Sequence, residues 1–269
     1  MDPMTPRQTE ILALARTSGR VLVDDLAQHF AVTPQTIRKD LNGLCERRLL
    51  QRVHGGAIAG SGVENLGYEA RRQIAHEEKR RIGERAASLI ADGSSLFINI
   101  GTTTEEVARA LQGRADLVVI TNNINVANRL RPEPRIEVIV AGGVVRRSDG
   151  GIVGEATSDF FNQFKVDYAI VGASAIDEDG ALLDYDYREV RVSQAIIANA
   201  RHVILVADRS KLERTAPVRI GHISQVHTFV TDALPSDRLA RVCRDAGVRV
   251  EEVMPGASHS PEVSSGEDA

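Results

Sequence analysis

Three stretches near the start of the chain carry apolar residues at helical spacing. Thr5 to Thr17 places Ile11, Leu12 and Leu14 as core candidates, and Ser18-Gly19 is its stop. Val23 to Phe30 turns Leu26, Ala27 and Phe30 inward, and Ala31-Val32 reads as a tight turn. Thr33 to Arg48 follows with Ile37, Leu41 and Leu44 on one stripe. Its start is well marked: Thr33 can accept from the first free backbone N–H groups, and Pro34 suits a first helical position, where no donor is required. Leu49 to Ile58 then reads as two short strands around Gly55-Gly56, with Arg52 and His54 near the tip. Three helices followed by a basic two-stranded wing predict a winged helix-turn-helix over residues 1–58.

Beyond the wing the pattern changes. Ala59-Gly-Ser-Gly-Val63 has the composition of a flexible linker, and the polar residues that follow read as a tether, so 59–74 is taken as linker. His76 to Ile90 is an amphipathic helix with Ile82, Ala86, Leu89 and Ile90 inward. Apolar runs at Ser95–Ile100, Leu117–Thr121, Arg135–Ala141, Val166–Val171 and His202–Ala207 then alternate with helical stretches; later strands are expected at Val226–Thr231 and Val248–Val253. Hydrophobic strands separated by helices predict a mostly parallel α/β sheet covered on both faces over 75–255. The last residues, 256–269, are rich in Ser, Glu and Pro and are expected to be disordered.

Charge changes the picture only when divided. The whole chain has a net charge of −4, yet residues 1–60 hold eight Lys/Arg against six Asp/Glu, so the body carries the acidic excess. Local positive charge on the third helix and wing is what binding to double-stranded operator DNA by counterion release requires. On that helix Thr33, Gln35, Thr36, Arg38 and Lys39 fall away from the apolar stripe near the N-terminal end, where a recognition helix meets DNA. Arg38, Lys39 and Arg52 are expected to hold phosphates and Gln35 and Thr36 to read bases, with His54 beside them on the wing. The bland alternative is a helical hairpin packed inside a larger enzyme. Cys45 and Cys243 show no pairing pattern, no Cys/His cluster has metal-ligand spacing, and no run approaches membrane-spanning length. A cytoplasmic protein without metal or cofactor is expected.

A second chemistry lies at three strand ends. Gly101, Thr102, Thr103 and Thr104 follow a strand and open a helix, and glycine, hydroxyls and free N–H groups together make a phosphate cradle. Asn122 ends the next strand, and Gly142, Gly143 and Arg146 follow another. Ligands of such sheets bind at the carboxyl ends of the strands. A small anionic ligand at that edge is therefore expected.

The segments LAQHF, AVTPQTIRKDL, NGL and RVHGGA, spanning Arg7 to Ala57, resemble the N-terminal signature of DeoR-type bacterial transcriptional repressors. The sequence departs from many members at Arg48, where they carry glycine. EEKRRIGERAASLI, INIGTTT, VGASAID and HVILVADRSK extend the resemblance to the effector domain of that family, which implies a fold similar to ribose 5-phosphate isomerase. It also implies phosphate binding by Lys79 and Thr102–Thr104 and a sugar-end role for Lys211. The acidic residues of the isomerases are missing: Val171-Gly-Ala-Ser-Ala175 stands at one set, and Asp184 and Ser193 fall at their lysine and glutamate, so no enzyme is expected. LFINIGTT, TNNINVAN, AGGVVRRSDGGIVGEAT and LLDYDYREVR narrow the resemblance to the branch of the family that governs glycerol metabolism. That implies glycerol 3-phosphate as the releasing ligand, with Asn122, Asp184 and Lys211 as candidates for its hydroxyls. A homodimer or homotetramer on repeated half-sites is the expected assembly. A regulator of another carbohydrate operon sensing a different sugar phosphate, or an isomerase-like enzyme, are the alternatives.

Overall fold

The computed structural model describes residues 4–18, 20–47, 49–53, 55–59 and 68–254. The N-terminal unit runs α1 (Pro6–Ser18), β1 (Arg20–Leu22), α2 (Val23–His29), α3 (Pro34–Glu46), β2 (Leu50–Val53) and β3 (Gly56–Ala59). Thr33 caps α3 as its sequence requires, its Oγ1 accepting from the Thr36 backbone N–H at 3.3 Å. Ile37, Leu41 and Leu44 are fully buried against Ile11, Leu12 and Ala15 of α1 and Leu26 of α2. Leu14, expected inside, is only half-buried, while its neighbour Ala15 is enclosed. The wing gains a strand that the pattern did not announce. β1 pairs with β3, and β3 with β2, all antiparallel, so Arg20–Leu22 ties the start of α2 to the wing. α3 ends at Glu46, short of the expected Arg48, which lies outside the described residues along with His54 and the 256–269 tail.

The stretch read as a tether contains α4 (Tyr68–Gln73). The larger unit continues with α5 (His76–Ser88), β4 (Ser95–Ile98), α6 (Thr102–Ala110), β5 (Leu117–Thr121), α7 (Ile124–Leu130), β6 (Ile136–Val140), β7 (Val144–Val145), β8 (Ile152–Val153), α8 (Glu155–Phe161) and β9 (Val166–Val171). It closes with β10 (Ala175–Ile176), β11 (Ala181–Asp184), α9 (Tyr187–Ala198), β12 (Ala200–Val206), β13 (Val218–His222), β14 (Thr228–Thr231), α10 (Asp237–Asp245) and β15 (Arg249–Glu252).

Seven strands form one parallel sheet in the order β15-β14-β12-β9-β4-β5-β6. Alternate residues of each strand face opposite layers, as the period of two dictates. Leu96, Ile98, Val119, Ile170, Ile204 and Val206 pack on Ile82 and Ala86 of α5, Val107 of α6 and Val126 of α7. Phe97, Ala169, Val171, Val203 and Leu205 pack the other way, on Phe161 of α8, Val190 and Ile196 of α9 and Leu239 of α10. From β4 the chain steps outward through β5 to β6; from β9 it steps outward the other way through β12 and β14 to β15. The order therefore reverses between β4 and β9. The carboxyl end of that seam is the place where an open parallel sheet leaves a crevice. Among the described residues no helix is long and apolar enough to cross a membrane.

Candidate DNA-reading surface and effector pocket

α3 presents its polar side outward. Thr33, Gln35, Arg38 and Lys39 are exposed and Thr36 is half-buried. A groove between the starts of α1 and α3 is lined by Thr5, Arg7, Gln8, Thr33, Gln35, Thr36, Arg38 and Lys39, among others. Asp40, buried beside this face, is held by Arg7, whose Nε donates to Asp40 Oδ2 at 2.6 Å. That pair braces α1 against α3 and neutralises an acid which would otherwise oppose a phosphate backbone. Arg52 lies on β2, opposite Ala57 of β3.

The crevice at the β4/β9 seam is a pocket of about 390 Å³ including its open mouth. Gly101, Thr102, Thr103 and Thr104 form one wall, Gly172, Ala173 and Ser174 after β9 another, and Arg71, Asp184, Glu189 and Lys211 complete it. Gly101 takes φ 155°, ψ 149°, in a region that glycine enters readily. It turns the chain so that α6 begins at the pocket floor, and the first N–H groups of a helix have no partner within it. The Thr104 hydroxyl is spent on the loop, its one proton shared between the carbonyls of Asn99 and Gly101, each 2.8 Å from Oγ1.

The pocket is lined by charges of both signs, and more cations lie behind it. Lys79, Lys211 and Arg214 are drawn to a buried carboxylate, Asp208, and Arg71 repels all three. Burial pushes Lys211 down to about 7 and Lys79 down to about 8, against the attraction of Asp208. Lys79 does not line the pocket. It lies beneath, donating from Nζ to the carbonyls of Arg71 and Ile74 and standing 3.9 Å from Asp208 Oδ2, which has no hydrogen-bond partner. Two carboxyls also line it. Asp184 accepts from the Ser174 hydroxyl at 2.9 Å and from the Tyr185 N–H at 2.6 Å. Burial, reinforced by Asp184, drives Glu189 up to about 8 even though Arg146 donates to it at 2.6 Å.

Four residues marked at the strand ends sit elsewhere. Arg146 is engaged by Asp149, Asp186 and Glu189 at 2.6–3.2 Å, and these partners hold it protonated despite its burial. Gly142 and Gly143 pack on α8: Thr157 donates to the Gly142 carbonyl at 2.9 Å, and a Cβ at Gly143 would stand 2.3 Å from the Thr157 hydroxyl. Asn122 is fully buried, with Nδ2 on the Ile152 carbonyl and Oδ1 without a partner. Sequence reasoning missed Arg71, Ser174, Glu189 and Arg214. Glu189 had a faint signal as an acid in the first turn of α9; Arg71 had none, lying in a stretch with no clear period.

Comparison with known proteins agrees on the two units. The description of the DeoR-like helix-turn-helix domain matches residues 7–62, and that of the DeoR C-terminal sensor domain matches residues 74–233. The chain is 47% identical to the glycerol-3-phosphate regulon repressor of Escherichia coli K12 over 247 residues, which cover 92% of this chain and 98% of that one. The protein of the same name from Haemophilus influenzae is 48% identical over 85% of this chain and 89% of its own. The repressor CsqR of Escherichia coli K12 is 40% identical over 93% and 95%. Among solved structures, ribose 5-phosphate isomerase A from Methanocaldococcus jannaschii matches 51% of this chain and 55% of its own, at 17% identity and a TM-score of 0.39. These relatives of nearly equal length are transcriptional repressors, not enzymes. The chain belongs to the DeoR family of DNA-binding transcriptional regulators, with a winged helix-turn-helix reader followed by a parallel α/β sensor.

Proposed function

We propose that the chain represses genes of glycerol 3-phosphate metabolism in the cytoplasm and leaves its operator when glycerol 3-phosphate fills the pocket at the β4/β9 seam. The observation that carries this reading is that one pocket is lined both by cations and a helix N-terminus and by hydroxyl and carboxyl groups. A short polyol phosphate needs both kinds of partner, one for its dianionic group and one for its hydroxyls. The helix N-terminus, Lys211 and, from beneath, Lys79 suit the phosphate. Asp184, Ser174 and Glu189 suit the hydroxyls, each with an oxygen able to accept. Asn122 and Arg146 serve the reading as supports of the walls. The names of the 47% and 48% identical relatives point to the same regulon.

On the DNA side, Arg38, Lys39 and Arg52 hold phosphates, while Gln35 and Thr36 reach base edges beside Thr33. Two copies, or four, set such heads on repeated half-sites. Release requires that the ligand bind more tightly to the arrangement that cannot span those half-sites.

Fluorescence anisotropy on DNA from beside a glycerol-uptake operon tests the reading. Glycerol 3-phosphate is expected to lower operator affinity at least tenfold, whereas free glycerol and ribose 5-phosphate leave it within twofold. Tight operator binding that ignores glycerol 3-phosphate would overturn the choice of ligand. Equal affinity for operator and scrambled DNA at moderate salt would overturn the reader.

A further inference from the structure

We propose that Arg71, on the short helix α4 ahead of the sensor, is a ligand for the effector's anionic group and so makes α4 part of the binding site. The inference rests on the reading of the pocket as an anion receptor and extends it to a residue and an element outside the strand ends.

Several observations converge on Arg71. Its side chain is only 12% exposed and lines the pocket together with the start of α6. One end of its guanidinium is engaged, Nη2 donating to Asp149 Oδ2 at 3.1 Å. The Nε–H is buried with no hydrogen-bond partner. A buried donor left open costs free energy unless something else satisfies it. Arg71 also adds its charge to a cluster in which Lys79, Lys211 and Arg214 share the one buried carboxylate Asp208, and all three feel Arg71 as a repulsion. A dianion in the pocket would relieve that repulsion and give the Nε–H an acceptor, with the fork geometry that guanidinium offers to phosphate.

Asp149 bears on the sign of the effect. It is gripped by Arg146 at 2.7 and 2.8 Å and by Arg71 at 3.1 Å, so Arg71 is the looser of its two partners. Asp149 therefore acts as a resident competitor for Arg71, and the effector wins the guanidinium from it.

The position of α4 gives this contact its reach. Tyr68, three residues earlier, donates to Glu105 Oε2 at 2.7 Å and accepts from Asn125 at 2.9 Å, fastening the helix start to α6 and α7. At the other end the Arg71 and Ile74 carbonyls take the Lys79 ammonium, and the Ile74 side chain packs against the core of the winged helix. A single three-residue step thus joins a pocket-lining cation to a residue packed against the core of the reading head.

Calorimetric titration of the full chain with glycerol 3-phosphate, and then with inorganic phosphate as the bare anion, tests the proposal. Arg71→Ala is expected to weaken glycerol 3-phosphate binding at least thirtyfold, and Arg71→Lys to recover only part of the loss. Asp149→Asn is expected to tighten binding, because it removes the competitor. In the operator assay the effector concentration needed for half-release should rise in Arg71→Ala by the same factor as the dissociation constant. The proposal is overturned if Arg71→Ala binds within threefold of the unaltered chain. It is also overturned if Asp149→Asn weakens binding as much as Arg71→Ala does, which would make the ion pair a brace. If the unaltered chain binds neither phosphate, the anion-receptor reading itself fails and Arg71 falls with it.

Discussion

Two buried lysines hold their protons loosely, and this gives effector binding a pH signature. Lys211 sits at about 7 and Lys79 at about 8 because burial penalises their charged forms. On the proposed reading, a phosphate dianion in the pocket would favour the protonated form of Lys211 and, from beneath, of Lys79, and raise both values, so binding would take up protons. As pH rises from 7 to 9 the free protein loses those protons, and over the same range Glu189, at about 8, gains a negative charge. Both changes act against an anion. Affinity for glycerol 3-phosphate is therefore expected to fall several-fold from pH 7 to 9, with proton uptake measurable by calorimetry in buffers of different ionisation enthalpy. An affinity that rises over that interval contradicts the assignment. Below about pH 6 the ligand itself becomes a monoanion, which places the optimum near neutrality. A second residue, Ala31, stores strain instead of charge. It holds φ 50° in the turn between α2 and α3, where a Cβ is disfavoured by about 1 kcal/mol or more. Ala31→Gly is expected to raise the thermal midpoint of the reader, as calorimetry would show, because relief of strain outweighs the added freedom of the unfolded chain.

At the scale of elements, the proposed reading divides the work of α3 by position along its length. On it, Arg38→Ala should weaken operator and scrambled DNA alike and lower the salt slope of binding by about one, since it would remove one phosphate contact. Gln35→Ala should instead relax sequence preference, at a cost of about 1–3 kcal/mol on the cognate site and little on scrambled DNA. Anisotropy across a salt series separates the two. That α3 was legible from sequence at all reflects local causes: a threonine cap, a proline at the first position and an unbroken apolar stripe. The central strands were legible because both their faces are covered, which leaves continuous apolar runs. α4 was not, because it is held by distant partners: Tyr68 bonds Glu105, 37 residues on, and Arg71 bonds Asp149, 78 residues on. β7, β8 and β10 are two residues long, too short for any period to register. Gly142-Gly143 resembled a ligand-approach turn, yet the close approach it permits is to Thr157. The glycine signal was real, and its object was a helix.

At the scale of the whole molecule, a modestly basic head is joined to an acidic body, so that attraction to DNA is confined to the part that reads it. The two parts are also built on different principles of contact. The head closes through neighbours within its first sixty residues, whereas the β4/β9 seam joins Ser95 to Asp167, 72 residues apart along the chain. The loop entropy of such parallel pairing must be paid before its contacts form, which makes the seam slow to assemble. The effector pocket straddles that seam and also needs Lys211, later still in synthesis. A newly made chain thus completes its reading head well ahead of its receptor. A ligand that bridges both sides of the seam binds only the finished sheet, so an effector of this pocket would also protect the regulator during its own maturation.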